Sequence, residues 1–374
     1  MKIAYLSDSL LSSGKANAIH VIKMSQALAL EGHSVVLYIR AKSSSLDLKS
    51  IVSNQYGVIP LFSISAWKIP NFKGSSYLYG FLTGIAAWRS RASIAYCRGL
   101  PSYVVAHFLG LSTIVELHQP PEDFCPAWFL YILRRLWAAP RRVRFVVITK
   151  SLKYHLQNKF PGLKGLIEVS PDGADVFPAN ITPIEYRFLD HTFNVGYCGN
   201  LYPGKGIELI LSLAPRCPWA RFHIVGGSER DIDQWKSISA SMLNVVWHGL
   251  VPHAEVAKYL KSFDVALLPL QKKVSTSSSK HVDIAPWTSP LKLFEYMAAS
   301  LPIVSSDLPV LREILRHDVN CLFCAPSDVD SWKTQLIRLR DDKHLRDRIG
   351  NRANNDFLSC YSWRARAKNL LPNR

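Results

Sequence analysis

Apolar positions along the chain fall into short runs that switch between two spacings. Residues 2–6 form an apolar strand, and a polar loop with Ser12, Ser13 and Gly14 follows. Ile19, Ile22, Met24, Leu28 and Leu30 then recur at helical spacing. Glu31-Gly32-His33 ends that run, with Gly32 suited to the left-handed residue that closes helices. Residues 34–39 return to an apolar, β-branched strand. Strand, loop, helix and strand within forty residues is the unit of a parallel sheet. The pattern predicts further strands at 93–97, 112–117, 144–148 and 166–170. It predicts helices over 102–109 and, behind a Thr149 cap, through Leu156.

A second series opens near Phe193. Strands fit 194–197, 221–225, 244–247, 265–269 and 302–305, with helices over 206–213, 253–262 and 291–299. The stretch 175–191 breaks periodicity and reads as a linker. The chain is thus α/β with two Rossmann-like domains, 1–180 and 190–355. Ligand sites in such domains lie at the carboxyl ends of the strands, and two of them are expected to face each other across a cleft.

Composition narrows the function classes. The chain has 374 residues, 48% apolar and 20% charged, enough for two cores and unlike a disordered chain. Lys plus Arg number 45 against 28 Asp plus Glu, a net +17 that attracts an anionic partner. The basic residues are spread out, with one cluster of Arg134, Arg135, Arg141, Arg142 and Arg144, and no nucleic-acid module is recognisable. Seven scattered cysteines with one CxxC, Cys321 and Cys324, read as free thiols rather than a metal site. No run reaches the roughly 20 apolar residues of a membrane span. The expectation is a cytoplasmic protein, peripheral to a membrane at most.

Two segments carry candidate chemistry. Gly199-Asn200-Leu201-Tyr202-Pro203-Gly204-Lys205-Gly206 follows a strand and opens a helix, so its glycines let backbone approach a phosphate and Lys205 adds a charge. It is not a P-loop, because the Gly-Lys-Ser/Thr spacing is missing. In Ser289-Pro290-Leu291-Lys292-Leu293-Phe294-Glu295, Ser289 reads as an N-cap and Pro290 as the first turn. The amides of Leu291 and Lys292 can point at an anion. Glu295 lies one turn on, where a carboxylate can bind vicinal hydroxyls.

Taken with His248-Gly249-Leu250-Val251, Asp264-Val265, Pro302 to Pro309 and Arg312-Glu313, these segments resemble the donor-binding half of glycosyltransferase family 4, in order and spacing. The N-terminal loop Ser13-Gly14-Lys15, Glu116-Leu117-His118 and Val169 to Gly173 extend the resemblance. It implies a GT-B fold whose last segment, 356–374, is a helix packing back on the N-terminal domain. It implies a retaining, metal-independent transferase that needs no cofactor beyond its UDP-, GDP- or ADP-sugar donor. By resemblance, Lys205 binds the diphosphate with Asn200, Pro290 and the Leu291 and Lys292 amides, and Glu295 binds the ribose. Leu250 and Val251 contact the base, His118 the donor sugar, and Gly14 brings the first loop to the phosphates. His118, Lys205 and Glu295 are the expected catalytic set. Asp172 and Asp175 are read as organising the linker.

Two positions depart from the family pattern. Trp287 stands eight residues before Glu295, where many members have a first acid, and Asn200 stands where many have an arginine. They motivate an alternative, a noncatalytic GT-B protein binding a sugar nucleotide as a partner subunit. The loop 271–285, with Ser275 to Lys280, is a candidate flap over the donor. Residues 124–144 mix aromatics with five arginines, as suits an anionic membrane surface and a glycan or lipid-linked acceptor in cell-surface synthesis.

Overall fold

The computed structural model describes residues 1–41, 47–185, 193–275 and 283–371. The chain divides into two compact units, Met1–Asp172 with Trp363–Arg374, and Gly173–Ser362. In the first unit strands and helices alternate. They are β1 (Lys2–Leu10), α1 (Ala16–Leu30), β2 (Ser34–Arg40), α2 (Leu48–Tyr56), β3 (Ser63–Trp67), α3 (Ser75–Arg89), β4 (Ile94–Cys97), α4 (Leu100–Phe108), β5 (Thr113–Leu117), α5 (Ala127–Ala138), β6 (Val143–Val147), α6 (Lys150–Lys159) and β7 (Ile167–Val169). The sheet is parallel in the order β3-β2-β1-β4-β5-β6-β7. Residues 3–7 of β1 and all of β5 are buried, as expected of strands covered on both faces.

The second unit holds β8 (Phe193–Cys198), α7 (Ile207–Leu213), β9 (Ala220–Val225), α8 (Glu229–Ile238), β10 (Val245–Gly249), α9 (Val256–Leu260), β11 (Val265–Leu268), α10 (Leu291–Ala298), β12 (Ile303–Ser306), β13 (Leu322–Cys324), α11 (Val329–Asp341) and α12 (Lys343–Cys360). Its sheet, also parallel, runs β10-β9-β8-β11-β12-β13. One face packs under α10 and α12, with Phe294, Met297, Ala353 and Phe357 in its core. The other lies under α7 and α11, with Ile210, Trp332 and Leu336. The last helix, α13 (Trp363–Leu370), belongs to the first unit and packs on α1. Its presence explains why α1 buries His20, Lys23 and Ser25 as well as its apolar stripe.

Each sheet reverses its strand order beside its first strand, at β1/β4 and at β8/β11. Crevices at such reversals are where open α/β sheets bind ligands. The Gly14 loop leaves β1, and the Gly199 to Gly206 loop leaves β8, so both begin at these points.

Several local expectations change. The helix over 253–262 is a 3-10 turn, His253–Glu255, followed by the short α9. The N-cap of α10 is Pro290, with no side-chain cap, and Ser289 stands one residue before it. The expected terminal helix over 356–374 begins later: residues 356–360 end α12 in the second unit, and α13 starts at Trp363. α5 is amphipathic: it buries Phe129, Leu133 and Trp137 and exposes Trp128, Tyr131, Arg134 and Arg135.

Candidate functional site

In the second unit, the loop that carries Lys205 is built on two glycines. Gly204 and Gly206 have φ of +80° and +89°. A Cβ on Gly204 would lie 1.9 Å from the Lys273 carbonyl oxygen, and one on Gly206 2.0 Å from that of Pro269. The loop is therefore pressed against the chain that leaves β11. The Gln271 and Ser275 amides donate to the Gly204 and Pro203 carbonyls at 2.9 and 3.0 Å. Lys205 stands in this loop, and burial pushes its amine down to about 8.

Lys292, the second residue of α10, meets it there. Its Nζ is buried, 3.6 Å from the centroid of the Tyr197 ring, and has no hydrogen-bond partner among the described residues. Gly199 leaves the room: a Cβ there would be 2.7 Å from Nζ and 2.8 Å from Cε. Burial and then the charge of Lys205 hold the Lys292 amine well below the usual lysine range, against the weaker pull of Cys198 and Glu295. Two buried amines whose charges repel each other form a place for an anion. The first turn of α10 lies beside them with no side-chain cap. Asn200 contributes its carbonyl, which accepts from the Tyr197 hydroxyl at 2.7 Å.

Glu295 follows on α10, 9% exposed, with Oε1 2.8 Å from His253 Nε2. His253 comes just after Leu250 and Val251, so it ties the expected base-binding segment to the expected ribose ligand. Leu250 is 74% exposed, while Val251 packs against the core. The Cys198 amide donates to the Tyr296 hydroxyl at 2.9 Å, which fixes α10 against β8. Trp287 ends a 3-10 turn before α10. Residues 276–282, most of the expected flap, lie outside the described residues. Its flanks are joined by Asp283, which accepts from the Val274 and Ala285 amides at 3.0 and 2.9 Å.

The first unit brings His118 into a buried polar cluster. His118 Nε2 is 2.6 Å from Glu116 Oε1. The same carboxylate accepts from Tyr96 at 2.5 Å and lies 3.3 Å from the Arg366 guanidinium and 2.8 Å from His20 Nε2. The other nitrogen of His20 is 2.7 Å from Asp172 Oδ1. Asp172 thus serves this cluster rather than the linker alone. Gly14 closes a 3-10 turn at φ +60°, and its amide donates to Tyr56 at 3.3 Å. Lys205, Lys292, Asn200 and Glu295 converge within the second unit; Gly14 and His118 belong to the first.

Sequence reasoning took only the backbone of Lys292, and missed its side chain, His253 and Arg366. His253 and Arg366 meet partners 42 and 250 positions away, and no local pattern marks such contacts.

Two parallel α/β units, each with a loop leaving its sheet at the strand reversal, make a GT-B architecture. Solved GT-B structures share it over nearly the whole chain. A glycosyltransferase from Rickettsia africae superposes with a TM-score of 0.73, 13% identity and coverage of 100% and 99% of the two chains. Anabaena HepE in complex with UDP-glucose superposes with 0.71, 15% identity and coverage of 99% and 98%. Residues 192–342 match the family model of glycosyl transferases group 1. An uncharacterized glycosyltransferase of Methanocaldococcus jannaschii is 26% identical over 240 residues, which are 60% of this chain and 58% of the relative. No described helix is long and apolar enough to cross a membrane. All seven cysteines are free, and those of the CxxC are buried.

Proposed function

We propose that the chain is a retaining glycosyltransferase that moves a sugar from a nucleoside diphosphate sugar to a glycan or lipid-linked acceptor. The observation that carries this reading is the buried Lys292 amine beside Lys205, which has no hydrogen-bond partner among the described residues. A buried cation without a partner is costly, and a diphosphate would satisfy both lysines with charge-assisted hydrogen bonds. Glu295, held by His253, would take the ribose hydroxyls, with Leu250 and Val251 at the base. HepE, of the same fold, is seen with UDP-glucose.

The difficult step is departure of the diphosphate as negative charge grows on it. Preformed cations and helix amides stabilise that charge more than the ground state, which is how such a site lowers the barrier. The anomeric C–O bond breaks and the acceptor hydroxyl attacks from the same face. Its proton passes to the leaving phosphate oxygen, so atoms and charge balance without a protein nucleophile. In this reading Lys205 and Lys292 replace a metal ion as the counter-charge. Lys292 also supplies the cation missing at Asn200, which removes one of the two motives for a noncatalytic subunit.

The α5 face of Trp128, Tyr131, Arg134 and Arg135 suits an anionic bilayer, and the protein would work at the cytoplasmic surface of a membrane on acceptors of cell-surface synthesis. The test is a panel of UDP-, GDP- and ADP-sugars with donor hydrolysis and transfer as readouts. Turnover with one donor, lost in Lys205→Ala and Glu295→Ala, supports the reading. Donor binding without turnover for every donor and acceptor, unchanged by Glu295→Ala, contradicts it.

A further inference from the structure

We propose that Glu116 is a positioning residue which, with Arg366, Tyr96 and His20, fixes His118 with its proton on Nε2, so that Nδ1 is presented as an acceptor to a substrate hydroxyl. The contact between His118 Nε2 and Glu116 Oε1 is 2.6 Å, so one of the two donates. Glu116 is fully buried, and burial alone would push its carboxyl up. Arg366, His20 and His118 outweigh burial and hold it well below the usual carboxylate range. An ionised carboxylate only accepts, which places the proton on His118 Nε2.

The ring carries no second proton. Burial and then the charge of Arg98 push His118 down to about 4, against the pull of Asp172 and Glu116. Nδ1 is therefore a lone pair at neutral pH, and it has no protein hydrogen bond among the described residues. The His118 side chain keeps 22% of its surface exposed, enough to meet a ligand, while that of Glu116 has none.

The rest of the cluster explains why the arrangement holds. His20 lies between two carboxylates, with Nε2 2.8 Å from Glu116 and Nδ1 2.7 Å from Asp172. Arg366 brings a positive charge to Glu116 and also donates to the carbonyls of Pro171 and Ser170 at 2.9 and 3.2 Å. The two carboxylates and the guanidinium pack around His20, and His118 stays neutral. His20, Glu116, His118 and Asp172 place ligand-type atoms within 4.8 Å of one another. The guanidinium already supplies the charge that a divalent cation would bring there. The helix that follows the second unit in sequence thus reaches His118 through a single carboxylate.

The inference rests on the nucleotide-sugar reading only for the identity of the hydroxyl. Its test is the ring-nitrogen NMR spectrum of the full chain with 15N-labelled histidine at pH 7. His118 is assigned by the resonances lost in His118→Gln. The expected pattern is that of the Nε2–H tautomer. An Nδ1–H or imidazolium pattern, or stoichiometric zinc in the purified protein, overturns the proposal. In Glu116→Gln, whose amide both donates and accepts, the pattern becomes a mixture, and Arg366→Lys retains the single tautomer. In Glu116→Gln, kcat for transfer falls about tenfold or more while the donor KM changes far less. A Glu116→Gln spectrum identical to wild type would remove Glu116 from the role. Absent donor binding would sink the nucleotide-sugar reading and leave the tautomer assignment standing; a wrong tautomer with donor binding intact would sink this inference alone.

Discussion

Lys205 and Lys292 show how burial turns an ordinary side chain into a binding group. Each amine is depressed because its charge has lost water, and an incoming anion restores what was lost. For Lys205 the sign of the pH dependence follows. Its folded-state value is about 8, below the ordinary lysine value near 10.4. Below pH about 8 the amine is charged whether folded or unfolded, and the protein bears the full cost of burying that charge. As pH rises from about 8 towards 10.4 the folded state loses its proton first, and that cost is relieved. Donor affinity runs the other way, because a diphosphate wants the charged form. Binding should take up protons above pH about 8 and weaken there, by at most tenfold per pH unit for one group. Titrations in buffers of different ionisation enthalpy would show this; affinity that is flat between pH 7 and 9.5, without proton uptake, would contradict it. At this scale the sequence was partly legible. Lys205 and Glu295 stand in segments whose spacing marks them, whereas the Lys292 amine gains its meaning only beside Lys205 and Tyr197.

Elements position these residues, and their boundaries carry testable content. The Lys205 loop requires glycine at 204 because the backbone is left-handed there and a carbonyl stands where Cβ would be. Gly204→Ala is expected to cost about 1–3 kcal/mol of stability and to weaken donor binding with it. A denaturation midpoint equal to wild type, with unchanged affinity, would show that the loop does not need its present shape. α5 makes a separate prediction. Replacing Trp128 and Tyr131 by Ser and Arg134 and Arg135 by Glu changes exposed positions, so stability should hold while sedimentation with anionic liposomes at low salt falls. Equal sedimentation would move any membrane contact elsewhere. Most strands of both sheets were readable from apolar runs, because a parallel strand buried on two faces leaves little room for polar residues. Strands β3 and β13 were not, the first being half-buried and the second three residues long. Helices α8, α11 and α12 were missed because they are largely polar and each buries a narrow stripe. Their caps, Ser228, Asp328 and Asp342, were the available signal.

For the whole molecule, the alternation of strands and helices gave the two-unit α/β architecture, and the ordered motifs of the second unit gave its family. What one sequence did not disclose was the set of contacts that close over long distances, Glu295 with His253 and Glu116 with Arg366. The net charge of +17 belongs to this scale too. It predicts that association with an anionic donor weakens as salt rises, while the buried part of the lysine contact is screened less. The central claim is that a nucleoside diphosphate sugar binds the second unit through Lys205, Lys292 and Glu295. Calorimetric titration of UDP-, GDP- and ADP-sugars into the wild-type protein and Lys292→Met tests it most directly. One donor should bind at a single site, and the variant should bind it about 10–100-fold more weakly, as expected for loss of a charged hydrogen bond of about 1.5–3 kcal/mol. No binding of any donor, or equal affinity in Lys292→Met, would contradict the account.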